Sequence, residues 1–277
     1  MNPITFPGLG LSVQIDRVAF SILGKDIYWY GIILALGFLA GSFVASKQYA
    51  RLGGKEDDAL DMLLYAAPTA ILCARIYYVV FYLDLYRNSD GSFNWREAIA
   101  IWDGGIAVYG SIMGAVLAAY IYCRIRKLSF LTMADAFAFG LPLGQAIGRW
   151  GNFVNQEAYG GECTLPWRMG LTVGNGNTIE VHPTFLYESL WNLVGLALLF
   201  LVIRQHRKFN GMLFCFYLFW YGLGRVWIEG MRTDSLYLFS TGIRVSQMVA
   251  LVCVVAAGGV LLWQLLISRG IKNTEKK

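Results

Sequence analysis

The stretch AFAFGLPLGQAIGRWGNFVNQEAYG, residues 136–160, indicates most about how this chain folds. An apolar run ends at Arg149, and carboxamide and carboxylate side chains follow it: Asn152, Asn155, Gln156 and Glu157. An arginine near the centre of a bilayer costs about 2.5–3.5 kcal/mol even on lenient insertion scales, so such residues usually bind anions or take part in chemistry. Arginines also stand among apolar residues in 71–82 and 221–232. These features predict a membrane enzyme that handles a phosphate.

The composition supports a membrane protein. Hydrophobic residues make up 57% of the chain and charged residues only 15%, whereas a soluble domain has about 25% charged residues. Several apolar runs approach the ~20 residues that cross a bilayer as a helix. The runs are continuous and do not alternate as barrel strands do. We therefore predict an all-α, polytopic integral membrane protein that forms a single domain over residues 1–277.

Seven segments are predicted to be transmembrane helices. They are residues 28–46, 62–83, 104–123, 133–150, 184–203, 211–229 and 244–268. The connectors after the first, third, fifth and seventh segments carry thirteen Lys and Arg residues, against six on the other side. The positive-inside rule then places the N-terminus outside and the C-terminus in the cytoplasm. The Gly- and Asn-rich connector 151–183 is expected to form a small extracytoplasmic elaboration.

The remaining composition excludes several classes of protein. The five cysteines include no CxxC pair, so neither a disulfide framework nor a zinc site is indicated. The net charge of +5 is spread over the connectors and reports topology. We predict no metal, no cofactor and no nucleic-acid partner.

Two sets of polar side chains are spaced to share a helix face, the first only if its helix continues as far as Gln156. They are Arg149, Asn152 and Gln156 at i, i+3, i+7, and Arg225, Glu229 and Arg232 at i, i+4, i+7. Two arginines that converge from different helices form a forked donor site for a phosphodiester. The alternative is that Glu229 neutralises Arg225 and the arginines reach to the membrane interface. For Arg232 taken by itself we favour this alternative. For Arg149 with its polar neighbours we favour an anion-binding function.

Arg75 and His182 each leave two interpretations open. Arg75, in the middle of the second predicted span, is either functional or one half of a buried ion pair, with Glu188 as a candidate partner. His182 precedes Pro183, which suits the first turn of a helix. It is therefore either a base or an interfacial cap, and we favour the cap.

Three tyrosines stand near predicted interfaces, where aromatic anchoring is the ordinary role. They are Tyr30, Tyr109 and Tyr221. Tyr109 differs because it closes the sequence WDGGIAVY, residues 102–109, in which glycines allow a ligand to approach closely.

These motifs together resemble the prolipoprotein diacylglyceryl transferase family. The most specific match is the signature GRWGNFVNQEAYG at 148–160. The supporting motifs are YWYG at 28–31, WDGG at 102–105, HPTFLYE at 182–188 and GRVWIEGMR at 224–232. The resemblance covers the whole chain and implies a multi-pass, seven-helix protein of the bacterial cytoplasmic (inner) membrane.

The resemblance also implies a reaction. The diacylglyceryl group of phosphatidylglycerol moves to the lipobox cysteine thiol of a preprolipoprotein, a thioether forms, and glycerol 1-phosphate leaves. This reaction begins bacterial lipoprotein maturation. The implied partners are phosphatidylglycerol, preprolipoprotein signal peptides with a lipobox cysteine, and membrane lipids; no cofactor is implied.

The functional positions of the family fall on particular residues of this chain. By resemblance, the catalytic residues are Arg149, Arg225, Tyr109 and Tyr30. Contacts with phosphatidylglycerol are expected from Arg149, Asn152, Glu157, Gly160, Glu229 and Arg232.

Tyr109 departs from the family pattern, because many members have a histidine there that is proposed as the base. A tyrosine with its ordinary pKa of about 10 is a poor base at neutral pH. The reaction can tolerate this change, since a free thiol with a pKa of about 8.5 is already roughly 3% ionised at pH 7. The harder step is the displacement of a phosphate from a primary carbon, which Arg149 and Arg225 can assist.

Two other classes of protein fit some of these residues. In a transporter of small organic anions, Arg149 and Arg225 would bind the cargo, but the sequence shows no inverted repeat. A non-catalytic scaffold would bind the lipid without turnover.

Overall fold

The computed structural model describes residues 3–88, 90–173, 176–235, 237 and 242–274, with side chains as far as residue 267. Gly174 and Asn175 of the predicted external elaboration, and Lys276 and Lys277 of the predicted cytoplasmic end, lie outside the described residues. The helices are α1 (Trp29–Arg51), α2 (Glu56–Phe81), α3 (Trp95–Ile99), α4 (Val108–Ile125), α5 (Phe130–Asn155), α6 (Thr184–Leu201), α7 (Met212–Met231) and α8 (Val245–Thr274).

Six of the helices in the described ranges are long and apolar enough to cross a membrane: α1, α2, α4, α5, α6 and α8. Each of them falls on a predicted span. The remaining predicted span, 211–229, forms α7, which does not reach the mean hydropathy of these six. Its tryptophans, tyrosines and glycines add little hydropathy, and it carries the charged residues Arg225 and Glu229. A multi-pass membrane protein is therefore confirmed, whereas the number of seven transmembrane helices is not.

The prediction of an all-α chain needs correction, because the described residues also form short strands. They are β1 (Ile4–Phe6), β2 (Leu11–Val13), β3 (Val18–Ile22), β4 (Lys25–Tyr28), β5 (Met169–Val173) and β6 (Asn177–Val181). Four of them make an antiparallel sheet in the order β2-β1-β5-β6, and β3 pairs with β4 in a separate hairpin. In the β5–β6 hairpin, which lies in the 151–183 connector, Met169 pairs with Val181 and Val173 pairs with Asn177. Strands of this length are too short to give a clear alternating signal in the sequence.

The chain divides into two compact units. The first comprises Met1–Ala45 with Ala134–Lys277, and the second comprises Ser46–Met133.

In the first unit, the sheet packs on the end of α5. Ile4 of β1 and Leu171 of β5 share a buried core with Phe153 and Val154 of α5 and with Phe185 of α6. The rings of Phe153 and Phe185 lie 4.7 Å apart. This core fixes the helix end that carries the GRWGN sequence.

Small residues bring α1 and α5 together in the same unit. A Cβ atom added to Gly41 would lie 2.6 Å from the carbonyl oxygen of Gly140, and one added to Gly37 would lie 3.0 Å from that of Gly144. The glycine spacing of these helices therefore serves close packing.

Buried hydrogen bonds hold α6 and the start of α7 against α5. Ser189 Oγ donates to the Ala146 carbonyl oxygen at 2.9 Å and ties α6 to α5. The fully buried Asp135 accepts hydrogen bonds from the backbone N–H groups of Gly211 at 2.8 Å and Phe214 at 3.0 Å, at the start of α7. Polar groups that are buried and satisfied in this way hold the helices in one register.

In the second unit, α2 packs on α4. A Cβ atom on Gly110 would lie 2.5 Å from the Cys73 carbonyl oxygen, and one on Gly114 would lie 2.8 Å from that of Thr69. Glycine is needed at both positions for the helices to approach this closely.

Candidate active site

Arg149, near the end of α5, donates to two side chains of the first unit. Its Nη2 donates to Glu188 Oε1 at 2.6 Å, and its Nη1 donates to Asn152 Oδ1 at 3.1 Å. Asn152 Nδ2 then donates to Glu157 Oε1 at 2.9 Å. The predicted neighbours Arg149 and Asn152 therefore share a helix face, and Glu157 joins them from the loop that follows.

Gln156 does not share that face. The helix ends at Asn155, and Gln156 adopts a left-handed conformation with φ of 54°. Ala158 has a similar φ of 56°. These turns end the i, i+3, i+7 pattern, so the condition for Gln156 to share the face, a helix that continues past Asn155, is not met.

Arg225, on α7, reaches the same carboxylate as Arg149. Its Nη1 donates to Glu188 Oε2 at 3.1 Å and to Glu188 Oε1 at 3.3 Å. Its Nη2 lies 2.8 Å from Glu229 Oε2, four residues further along the helix. Arginines from two helices thus converge on one carboxylate, which belongs to a third helix.

Arg232 extends this network beyond the end of α7. It donates from Nε and Nη2 to the two oxygens of Asp234, at 2.9 and 2.8 Å. These bonds hold the pKa of the Asp234 carboxyl below its usual range. Arg232 Nη1 lies 3.9 Å from Glu229 Oε2, and Ser235 Oγ donates to Glu229 Oε1 at 2.9 Å.

Gly160 is joined to this network through its backbone. Its N–H group donates to the His182 carbonyl oxygen at 3.0 Å, and it forms an isolated β-bridge with Arg232. A Cβ atom at Gly160 would lie only 2.7 Å from the Cβ atom of His182. The glycine therefore permits a close approach of the signature loop to the segments before α6 and after α7.

Glu188 is the residue of this site that the sequence did not reveal. It is 3% exposed, lies on α6 and connects Arg149 with Arg225. The available signal was its place as the acidic residue of an otherwise uncharged predicted span, 184–203, at the end of the HPTFLYE motif. Its contact with two other helices is tertiary and has no fixed sequence spacing.

An ion pair with Glu188 was one of the two interpretations of Arg75, and the structure gives Arg75 other partners. In the second unit it donates to the carbonyl oxygens of Glu97, Ala98, Gly104 and Gly105, at 2.6 to 2.8 Å. Its guanidinium also lies 5.2 Å from the centre of the Tyr86 ring. Through these hydrogen bonds the side chain holds the segment that precedes α4 in place.

Tyr30, in the first turn of α1, packs on the signature helix. A Cβ atom on Gly151 would lie 2.7 Å from its ring. A cavity of about 570 Å³ is lined by Tyr30 and Asn155, beside the residues that precede α1.

Tyr109 belongs to the second unit, where it is the second residue of α4 and is half-buried. The turn before it contains Gly104 and Gly105, both with positive φ, and the carbonyl oxygens of these glycines bind Arg75. The predicted catalytic role of Tyr109 stays a prediction.

His182 supports the backbone of the site. Its N–H group donates to the Gly161 carbonyl oxygen at 3.0 Å. Its ring Nδ1 lies 3.3 Å from the hydroxyl of Tyr187, which also accepts a hydrogen bond from Trp167 Nε1 at 2.8 Å. The N-cap of α6 is Pro183 and no side chain caps the helix there, so the choice between a base and an interfacial cap for His182 stays a prediction.

The cluster as a whole is a set of partly buried arginines that are neutralised by carboxylates, of which Glu188 and Glu229 are buried. Within the described part of the chain, no three His, Cys, Asp or Glu residues are grouped to hold a metal ion. Guanidinium groups that converge from two helices can hold the two oxygens of a carboxylate or of a phosphate. The arrangement suits the binding of an anion and the stabilisation of a negatively charged leaving group.

The fold and the site together define a multi-pass membrane protein in which arginines from two helices share one buried carboxylate. A family model for prolipoprotein diacylglyceryl transferase matches residues 17–263. The chain belongs to this family, and it is a transferase.

Curated relatives support the assignment over nearly the full length. A phosphatidylglycerol–prolipoprotein diacylglyceryl transferase of Clostridioides difficile (strain 630) is 43% identical over 95% of this chain and 100% of its own length. Proteins of the same name from Finegoldia magna and Oceanobacillus iheyensis are 45% and 44% identical, over 94% and 90% of this chain. These matches cover 100% and 88% of the two relatives.

Proposed function

We propose that this chain transfers the diacylglyceryl group of phosphatidylglycerol to the lipobox cysteine thiol of preprolipoproteins. A thioether forms and glycerol 1-phosphate leaves, as the first step of bacterial lipoprotein maturation. The observation that carries the proposal is the convergence of Arg149 and Arg225, from α5 and α7, on one pair of carboxylate oxygens.

The carboxylate of Glu188 marks where an anion is held. Three of its hydrogen bonds come from the two guanidinium groups, at 2.6 to 3.3 Å. A phosphodiester offers the same kind of acceptor, two oxygens that share a negative charge. Arg149 and Arg225 would bind the phosphate of phosphatidylglycerol through these donors.

The same donors assist the chemical step. When the thiolate sulfur bonds to the primary carbon of the lipid, the carbon–oxygen bond to the phosphate breaks and the leaving group gains a negative charge. Donors that already point at these oxygens in a site shielded from water stabilise that charge without reorganisation. Arg149 and Arg225 are 21% and 16% exposed at their side chains, so the site is largely shielded.

The remaining predicted residues take supporting roles in this proposal. Asn152 and Glu157 would fix the direction of Arg149, and Glu229 would do the same for Arg225. Gly160 and Arg232 would shape the wall of the lipid site. Tyr30 and Tyr109 would orient the lipid or the thiol by hydrogen bonds.

The proposal includes a membrane arrangement. The chain would form a single domain of the bacterial cytoplasmic membrane, with the N-terminus outside and the C-terminus in the cytoplasm. The helix α7 would be the seventh span, since it packs between α6 and α8 and its charges lie in the buried cluster. Nucleic acid would not be a partner.

A mass-shift assay tests the proposed function. Purified protein is incubated with phosphatidylglycerol and a lipobox peptide, and the peptide should gain the mass of one diacylglyceryl group. A peptide with serine in place of the acceptor cysteine is the control. Lipid binding without a mass shift would indicate a scaffold, and movement of organic anions across vesicles without a mass shift would indicate a transporter.

A further inference from the structure

Glu188 occupies the position that a substrate phosphate would need. It accepts hydrogen bonds from both Arg149 and Arg225, and its side chain is only 5% exposed. An anion that binds both guanidinium groups must therefore take donors that Glu188 now holds.

We propose that Glu188 is the proton acceptor of the reaction: the substrate phosphate displaces its carboxylate from Arg149 and Arg225, and the released carboxylate takes the proton of the acceptor thiol. This inference rests on the proposed function. It assigns the base to α6, where the carboxylate already touches both arginines, and it leaves Tyr109 free of that task.

The charge balance around Glu188 favours this step. The charged and titratable groups around it are Arg149 on α5, Tyr217, Tyr221, Arg225 and Glu229 on α7, and Arg232 beyond the end of α7. Once a phosphodiester occupies Arg149 and Arg225, a buried carboxylate is left beside a second anion. A buried charge without a partner is costly, and uptake of a proton removes it.

The position of Glu188 also suits the proton transfer. The carbon under attack is bonded to a phosphate oxygen, so the thiol must arrive within a few ångströms of the bound phosphate. Because the Glu188 oxygens lie 2.6 to 3.3 Å from the arginine nitrogens that would hold that phosphate, a small rotation keeps the carboxylate at this distance.

Atoms and charges balance in this scheme. The S–H proton moves to a Glu188 oxygen, the sulfur–carbon bond forms, and the carbon–oxygen bond breaks with its electron pair on glycerol 1-phosphate. The product changes from a monoanionic diester to a phosphate monoester, whose second pKa is about 6. It can therefore carry the proton away as it leaves, and the carboxylate returns to the arginines.

The test compares two nucleophiles in Glu188→Gln, which keeps the size of the side chain and removes its basicity. One lipobox peptide carries cysteine, and the other carries selenocysteine, whose selenol is ionised at neutral pH. With cysteine, kcat at pH 7 should fall about 30-fold, because roughly 3% of the thiol is ionised without a base. The loss of kcat relative to wild type should become smaller towards pH 8.5, and it should be absent with the selenocysteine peptide. The KM for phosphatidylglycerol should not rise.

Glu229→Gln is the matched control. Glu229 is also buried and pairs with Arg225, at 2.8 Å. Its loss should affect both peptides equally at every pH, since it acts through the position of the arginine.

Equal losses of Glu188→Gln with both peptides at every pH would overturn the proposal, because a merely structural carboxylate does not distinguish thiol from selenol. If that variant does not fold, the pH dependence of the wild-type rate with each peptide provides the test. A cysteine rate that follows thiol ionisation up to about pH 8.5, beside a flat selenocysteine rate, excludes an enzymic base. A cysteine rate that is level over this range supports one. Absence of any mass shift with the wild-type protein would instead defeat the proposed function.

Discussion

Both units of the chain hold arginines largely out of solvent, and the two sites differ in the groups that accept hydrogen bonds from them. Arg75 in the second unit is 6% exposed and donates hydrogen bonds to four backbone carbonyl oxygens. Arg149 and Arg225 in the first unit are held by the side chain of Glu188. Backbone carbonyls are fixed by the course of the chain, whereas a carboxylate can rotate away when another anion arrives. The comparison separates an arginine that holds the backbone in place from the arginines to which we assign ligand binding.

The largest effect on activity is expected from Arg149→Lys. Lysine keeps the charge but loses the planar fork that reaches both Glu188 and Asn152. Loss of one such donor should lower kcat about 10²- to 10³-fold in the mass-shift assay. Arg168→Lys, which changes an arginine paired with Glu180 in the β-hairpin, is the control and should keep wild-type turnover. Near-normal turnover of Arg149→Lys would mean that Arg149 only balances charge.

Arg75→Lys should affect stability more than the binding of lipid. One ammonium group cannot satisfy four carbonyl oxygens, and buried acceptors without donors cost about 1–3 kcal/mol each. We expect a loss of roughly 3 kcal/mol in the free energy of unfolding, measured by denaturant or thermal unfolding in detergent. An Arg75→Lys variant of unchanged stability that loses phosphatidylglycerol binding would contradict the structural role assigned to Arg75.

Tyr109→Phe should have a moderate effect. If the hydroxyl orients a substrate by a hydrogen bond, its removal costs about 1–3 kcal/mol, or roughly five- to 150-fold in rate. The pH profile of the residual rate should keep its wild-type shape, because Glu188 still accepts the proton. Complete loss of turnover that high pH and selenocysteine cannot restore would assign the essential chemistry to Tyr109.

The smallest effect is expected from Asp234→Asn. The Asp234 pKa is lowered in the folded state by its hydrogen bonds from Arg232. Its contribution to stability is therefore present above the unfolded pKa of about 3.9 and is lost as the pH falls through the lower folded value. Since this side chain is 49% exposed, solvent screening limits the effect to under about 1 kcal/mol. The difference in melting temperature between variant and wild type should disappear at acid pH, and a difference that grows there would contradict this assignment.

The sequence predicted the helices well because apolar runs long enough to span a bilayer have few other structures available. Their ends were less predictable. The helix α2 begins at Glu56 and not at residue 62, since Glu56, Asp57 and Asp58 suit the positive end of a helix dipole although they are not apolar. Similarly, α5 continues past residue 150 to Asn155 because the sheet packs on Phe153 and Val154.

The candidate site was predictable only in part. Arg149 and Arg225 stand out because a charge in an apolar run is costly. Glu188 could not be given its partners, because its contacts join three helices that are far apart in the sequence. The end of the helix before Gln156 could not be predicted, because no feature of the sequence indicates the left-handed conformation of this residue.

The most direct test of the account is the binding of glycerol 1-phosphate to the purified full chain, measured by calorimetry for wild type, Arg225→Lys and Arg75→Lys. Arg225 contributes donors to the proposed phosphate site, whereas Arg75 is committed to backbone carbonyls. We predict that Arg225→Lys weakens binding at least about tenfold, or 1.4 kcal/mol, and that folded Arg75→Lys binds as wild type does. Unchanged affinity in Arg225→Lys, or an equal loss in both variants, would contradict the assignment of the Arg149–Glu188–Arg225 cluster as the phosphate site.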